Sequence, residues 1–185
     1  FQTGYLTVKS KKSSIDGVFY TLDFPNREVK NSFLQSLLSF YTSYPYDESA
    51  EISKKIIRQI KTADEKGLKD NLTQLLAHLP YQIRVENEKY YHSIFLIWLR
   101  MLGFDMQGEV STDKGRIDAV LKQDDFAAIV EIKYGVEKPL DKMLESALKQ
   151  IEEKKYYEAY SGKKIILLGI AFNGKEVKCK FGDIN

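Results

Sequence analysis

The stretch "GRIDAVLKQDDFAAIVEIKYG", residues 115–135, consists of two apolar, strand-like runs that carry charged residues where the pattern would bury them. The segment between the runs, "QDDF" (123–126), has the composition of a turn, so the runs are predicted to pair as a β-hairpin. A loop of two or four residues there places Asp118 on the same sheet face as Glu131 and Lys133, with Glu131 directly opposite Asp118 or on the diagonal. A soluble domain seldom hides charged groups without pairing or using them.

A second predicted hairpin adds a third acid to this face. Its turn, "TDKG" (112–115), joins the hairpin to the preceding strand-like run and places Glu109 opposite Asp118. Val120 and Ile129 also lie on the charged face as an expected cross-strand pair, and such a pair favours cover by a helix over contact with water. Three carboxylates and one ammonium are therefore predicted to converge on one partly covered sheet face.

Neighbouring carboxylates repel each other and raise one pKa unless a cation lies between them. An all-oxygen site of this kind favours a hard ion such as Mg²⁺, which keeps several of its waters. The alternative is an amphipathic sheet with a wet face, in which Asp118 and Glu131 pair with Arg116 and Lys133. Spacing alone favours this alternative, whereas the apolar pair beside the charges weakens it.

Composition restricts the class of protein more than it identifies a function. The chain has 185 residues, of which 43% are hydrophobic and 29% charged, so it is long enough for a globular core with a helical appendage. Cys179 is the only cysteine, which excludes an intrachain disulfide and a cysteine zinc site and suits a reducing, cytoplasmic compartment. The net charge of +2 restricts any nucleic-acid surface to a local patch. The sequence contains no stretch typical of a membrane span or signal peptide, and a start at Phe1 suggests a piece of a longer protein.

Hydrophobic periodicity divides the chain into two predicted regions. Residues 1–78 are predicted to form a β-hairpin and three helices without a catalytic residue, with strands at 4–9 and 17–24 and helices after the N-cap Asn26, over 48–62 and over 65–78. Residues 79–185 are predicted to form an α/β domain with the order helix (86–104), strands (108–112, 116–121 and 127–133), helix (139–160), buried strand (164–172) and edge strand (176–181).

With Asp118, Glu131 and Lys133 in this order, the sequence resembles the PD-(D/E)XK nuclease superfamily, in particular the bacterial branch found C-terminal to an AAA-like ATPase domain. The resemblance covers about residues 80–175 and is carried by "EKYYHSIFLIWLRMLGF", "GEVSTDKGRIDAVL", "EIKYG" and "ALKQIEEKKYYEAY". It implies a restriction-endonuclease-like αβββαβ core, that is, a central mixed sheet flanked by helices. Residues 1–78 would then be the last part of the ATPase-like domain or the linker that leads from it. The G-x-x-x-x-G-K-[ST] motif of such a domain is absent from these 185 residues.

The resemblance also implies roles for individual residues. Asp118 and Glu131 would bind Mg²⁺ or Mn²⁺ with the backbone carbonyl of Ile132 as a third ligand, and Lys133 would orient or activate the attacking water. Auxiliary residues beside the site would be Glu88 and His92 on the opening helix, Glu109, and Gln150, Lys154 and Tyr156 of a Q-x3-K-x-Y pattern. For His92, a histidine satisfied by Glu88 within its own helix is an equally weighted alternative.

The sequence therefore predicts a Mg²⁺-dependent nuclease domain that acts on nucleic acid, with DNA favoured over RNA. Its predicted partner within a longer protein is the AAA-like ATPase domain, no membrane is expected, and a homodimer would suit cleavage of two strands. The alternative is a catalytically inactive module of the same fold that binds nucleic acid or regulates the ATPase. A complete set of Asp118, Glu131 and Lys133 argues against the loss of catalysis.

Overall fold

The computed structural model describes residues 4–42, 49–77, 88–101, 118–136, 138–160, 162–173 and 176–183. The strand predicted over 108–112 and the end of the helix predicted over 86–104 lie outside these residues. Among the described residues, no helix has the length and apolar character that crossing a membrane requires.

The described strands and helices follow one another in the predicted order. They are β1 (Thr7–Ser14), β2 (Gly17–Asp23), α1 (Arg27–Thr42), α2 (Ser49–Lys61), α3 (Glu65–Ala77), α4 (Glu88–Met101), β3 (Ala119–Lys122), β4 (Phe126–Tyr134), α5 (Leu140–Lys154), a 3₁₀ helix (Tyr156–Tyr160), β5 (Lys164–Phe172) and β6 (Val177–Gly182).

A four-stranded mixed sheet in the order β3-β4-β5-β6 forms the centre of the domain. β3 and β4 pair antiparallel, as do β5 and β6, whereas β4 and β5 pair parallel and are joined through α5. A parallel pair needs such a crossover, and helices typically supply it. The predicted α/β fold, a central mixed sheet flanked by helices, is confirmed, including the edge strand at the C-terminus.

The two faces of the sheet are covered by different helices, as the alternation of side chains requires. One face carries Leu121, Val130 and their apolar neighbours, and it packs against residues of α2, α3 and α4 in one buried cluster. The other face carries the pair Val120 and Ile129, which packs against Leu148 of α5 and the apolar residues around it. The predicted apolar face and the predicted cover for Val120 and Ile129 are both present.

α2 and α3 belong to the core that covers the sheet. Ile56 and Leu68 are each only 1% exposed and lie in the same cluster as the sheet residues. Polar contacts join the same layers, since Lys61 pairs with Asp125 at 2.5 Å and Glu65 accepts a hydrogen bond from the Phe181 amide at 3.0 Å. The division after residue 78 stays a prediction, and the packing favours a division that keeps α2 and α3 with the sheet.

Two elements differ markedly in extent from the sequence-based expectation. The helix predicted over 139–160 ends at Lys154, because Lys155 adopts the left-handed conformation with φ of 48° and a 3₁₀ helix follows. β1 continues to Ser14, well beyond the predicted 4–9, because its polar residues pair with β2 across a tight turn in which Gly17 has φ of 134°. Cross-strand pairing here overrides the loop-like composition of "SKKSS".

The shared core can be tested by truncating one side chain in it. Leu68→Ala should lower the free energy of unfolding by about 2–5 kcal/mol, because it leaves a cavity in the cluster that also covers the sheet. Leu22→Ala in the β1–β2 hairpin, where Leu22 is 44% exposed, is the matched control and should cost under about 0.5 kcal/mol. Urea denaturation followed by circular dichroism measures both. If Leu68→Ala lowered the stability of only a separate, minor transition, α2–α3 would not share this core.

Candidate active site

The hairpin of β3 and β4 sets the position of the two acids. Ala119 pairs with Val130 and Val120 pairs with Ile129. The next step of this register puts Asp118, directly before β3, opposite Glu131 in β4. Of the two arrangements that the loop length allows, direct and diagonal, this is the direct one.

Asp118 is held against the strand that carries Glu131. Its Oδ2 atom accepts a hydrogen bond from the backbone N–H of Ile132 at 2.8 Å. Because Ile132 follows Glu131 in β4, this bond ties the first acid to the backbone beside the second. A carboxylate that accepts a backbone N–H is more firmly oriented than one that meets only water.

Glu131 is an almost fully buried acid, with 3% of its surface exposed. Its Oε1 atom accepts a hydrogen bond from the Lys133 ammonium at 2.8 Å. Its Oε2 atom is buried and has no hydrogen-bond partner among the residues that the structure describes. A buried acceptor left without a partner costs free energy, so this oxygen is a position where a ligand would be favourable.

Lys133 links the sheet to α5. Besides Glu131, its ammonium donates to the side-chain Oε1 of Gln150 at 2.6 Å. The alternation of side chains along β4 places Lys133 on the face of the sheet that α5 covers, and Gln150 contacts it from the helix. The structure thus brings together four of the predicted site residues, Asp118, Glu131, Lys133 and Gln150.

Burial and the neighbouring acid together raise the pKa of Glu131 to about 7. Burial is the larger cause, since it penalises the charged form, and the charge of Asp118 adds to it. The ammonium groups of Lys133 and Lys154 act in the opposite direction and only partly offset these effects. Lys154, another predicted auxiliary residue, therefore lies close enough to Glu131 to affect its charge.

These properties fit a divalent cation. The raised pKa of Glu131 beside Asp118, and its buried oxygen without a partner among the described residues, would both be relieved by a positive ion between the two acids. In the described part of the chain, no group of three or more His, Cys, Asp or Glu side chains is gathered for a metal. Mg²⁺ is nevertheless commonly held through one or two carboxylates while it keeps several waters.

The remaining predicted residues stay predictions. Glu109 lies outside the described residues, as do the side chains of Glu88, His92 and Tyr156, although α4 and the 3₁₀ helix include three of these positions. The ligand role of the Ile132 carbonyl is likewise an implication of the resemblance. Of the aromatic residues, Phe95 and Trp98 are buried, and Tyr157 and Tyr160 pack against the cluster that contains Val120 and Ile129.

A cleft beside Lys133 contains residues that the sequence pattern does not single out. It has a volume of about 240 Å³, and Lys138 and Lys142 contribute to its wall together with Lys133. The sequence does contain one indication of these residues. Lys142, Ser146 and Gln150 are spaced by four residues on α5, which places all three on one ridge of the helix.

Just over half of the chain is similar to a known protein family. A family model of the PD-(D/E)XK nuclease superfamily matches residues 86–181, just over half of the chain. An uncharacterized protein from the vnfD 5′ region of Azotobacter chroococcum mcd 1 is 30% identical in an alignment of 180 residues that covers 94% of this chain and 34% of that protein. The chain thus spans about a third of the length of this relative. No solved structure matches the chain significantly.

The raised pKa of Glu131 predicts a pH-dependent stability in metal-free buffer. The folded protein keeps the Glu131 proton up to about pH 7, whereas the unfolded chain releases it near the ordinary value of 4.5. Because the folded state binds more protons between these values, the free energy of unfolding should fall as the pH rises from about 4.5 to 7, by roughly 3 kcal/mol at most. Urea denaturation in EDTA across this range measures the slope.

Glu131→Gln should flatten that slope, because the amide does not titrate. Glu145→Gln is the matched control, since Glu145 is an exposed acid on α5, and it should keep the slope of the parent protein. An unchanged slope in Glu131→Gln would show that another group causes the pH dependence.

Proposed function

This chain belongs to the PD-(D/E)XK nuclease superfamily, and we propose that it hydrolyses phosphodiester bonds of nucleic acid with Mg²⁺ or Mn²⁺ as cofactor. The observation that carries the proposal is the buried Oε2 atom of Glu131, which lacks a hydrogen-bond partner among the described residues. The same carboxyl group feels the charge of Asp118 and accepts a hydrogen bond from Lys133 through its other oxygen. A structural ion pair would have no reason to leave this oxygen unsatisfied, whereas a metal site requires a donor atom of this kind.

In this proposal, Asp118 and Glu131 hold the metal through their carboxylates, and the backbone carbonyl of Ile132 is a third ligand. When bound, the ion supplies a Lewis acid for the phosphate and lowers the pKa of a coordinated water. Glu131 must lose its proton to serve as a ligand, which its pKa of about 7 permits near neutral pH.

Lys133 supplies the positive charge next to the reacting phosphate. Its ammonium is oriented by Glu131 and Gln150, at 2.8 and 2.6 Å, so the charge is positioned before the substrate arrives. A fixed ammonium stabilises the negative charge that develops on the phosphate oxygens and can orient the attacking water. Gln150 is accordingly a positioning residue, and Lys154 adds a second positive charge near Glu131.

Several wider expectations rest on the resemblance alone. They are DNA as the preferred substrate, an AAA-like ATPase domain in the same protein, a homodimer and a cytoplasmic location. The competing hypothesis is a module with the same fold that binds nucleic acid or regulates such an ATPase without catalysis. Cleavage assays separate this hypothesis from the nuclease.

Metal binding should strengthen as the pH rises, because the ion displaces the Glu131 proton. With a pKa of about 7, Mn²⁺ affinity should be about tenfold higher at pH 8 than at pH 6. Asp118→Asn should weaken Mn²⁺ binding at both pH values, since it removes one of the two carboxylates. Asp70→Asn, at an exposed acid on α3, is the control and should bind like the parent protein. Isothermal titration calorimetry measures these affinities, and a pH-independent affinity would contradict Glu131 as a ligand.

Lys133→Ala should reduce Mg²⁺-dependent cleavage by roughly 10²-fold or more, because a positioned catalytic charge is lost. Because the loss of Lys133 raises the pKa of Glu131 further, its Mg²⁺ affinity should change little only at a pH high enough to ionise Glu131 in the variant. Lys149→Ala on α5 removes the same charge from an exposed position and should leave cleavage unchanged. Rates on supercoiled plasmid and on labelled single strands test this. If the parent protein bound Mg²⁺ but cleaved neither substrate, the inactive module would replace the nuclease proposal.

A further inference from the structure

The cleft beside the active site lies where β4 ends and α5 begins. Its walls are formed by Lys133, Tyr134, Lys138, Pro139, Lys142, Met143 and Ser146. Lys133 belongs both to this cleft and to the cluster around Glu131, so the cleft is continuous with the candidate active site. A ligand in the cleft would therefore extend directly into the site.

The cleft carries an excess of positive charge. Lys138 and Lys142 are both exposed, and neither forms an ion pair with an acid in the described parts of the chain. Asp141, the acid next to Lys142 in the sequence, is instead engaged by Lys178 on β6, with both of its oxygens at 2.8 Å. The two lysines are thus available to an anion.

The position of Lys138 depends on a glycine. A Cβ atom on Gly135 would lie 3.0 Å from Cδ and 3.2 Å from Cβ and Cγ of Lys138, so the stem of the lysine packs directly over the glycine backbone. The backbone N–H of Lys138 also donates to the Gly135 carbonyl at 3.4 Å. This contact holds the lysine over the turn that follows β4, at the wall of the cleft.

From the cleft, a row of polar side chains continues along α5. Lys142, Ser146, Gln150 and Lys154 are spaced by four residues and so form one ridge of the helix. At 1.5 Å per residue, the ridge is roughly 18 Å long, which corresponds to about five nucleotide steps of one strand. Gln150 contacts Lys133, and the charge of Lys154 affects Glu131, so the ridge passes along the active site.

We propose that this cleft and ridge bind the phosphate backbone of the nucleic-acid strand on one side of the cleaved bond, with Lys138 and Lys142 each contacting a phosphate. This inference rests on the proposed function and deepens it. A row of ammonium, hydroxyl and amide groups is the usual protein surface for phosphate oxygens, and such contacts position a strand without reading its sequence. The length of the row favours a polymer with repeated charges over a single small anion.

Salt dependence measures the number of phosphate contacts directly. In EDTA, where metal-dependent hydrolysis is blocked, Lys138→Ala/Lys142→Ala should bind a labelled 20-nucleotide strand and its duplex more weakly than the parent protein. Loss of two contacts should make the slope of log K against log salt shallower by about 1.4 for the single strand or about 1.8 for the duplex. The affinity advantage of the parent should accordingly shrink about sevenfold or about twelvefold between 50 and 200 mM salt.

The matched control is Lys66→Ala/Lys69→Ala, which removes two exposed charges from α3 on the opposite side of the sheet. It should keep the slope of the parent protein. An equal loss of slope in this control would show a general charge effect and would overturn the proposal. Tighter binding of polyglutamate than of either DNA at the same salt would assign the cleft to an acidic protein and overturn the proposal.

The two proposals fail in different ways. A parent protein that binds DNA with the expected slope but never cleaves it would reject the nuclease function and keep the phosphate contacts. A parent protein that cleaves DNA, while Lys138→Ala/Lys142→Ala retains the full slope, would reject the contacts alone.

Discussion

The burial of one carboxylate, Glu131, determines how the centre of this domain is arranged. Its strand is covered on both faces, which suits apolar side chains and penalises a charge. The charge is tolerated because Lys133 donates to one oxygen, and Lys133 is in turn oriented by Gln150 of α5. The packing of α5 on the sheet therefore also determines the positions of these polar groups. A change in the helix would misplace the Lys133 ammonium as well.

The alternation of side chains along a strand accounts for the part of this arrangement that the sequence predicts. Alternation around Val120 and Ile129 indicates which residues share a face, and the loop length leaves few registers, one of which is observed. β5 begins and ends where its apolar run does. The alternation of side chains is a reliable guide because a sheet has only two faces, so local sequence suffices to assign a side chain to one of them.

The features that could not be predicted depend on contacts between distant parts of the chain. The periodicity of α2 and α3 shows an apolar stripe but not what it covers, and the sheet is separated from these helices by a long stretch of sequence. The end of α5 depends on the left-handed conformation of Lys155, a residue whose type gives no such signal. The cleft requires the end of β4, the Gly135 turn and the first turns of α5 to meet, which no local pattern specifies.

The unsatisfied Oε2 atom of Glu131 connects stability with function. In the metal-free protein, the raised pKa of this acid means that its charged form opposes folding near neutral pH. Replacement of Glu131 by an apolar residue would remove that cost, so the acid is not explained by stability. An ion bound at this oxygen would favour the charged form and also stabilise the folded state by mass action. The same feature that opposes folding in the absence of an ion would thus provide affinity for the proposed metal, as expected when a core position serves chemistry rather than packing.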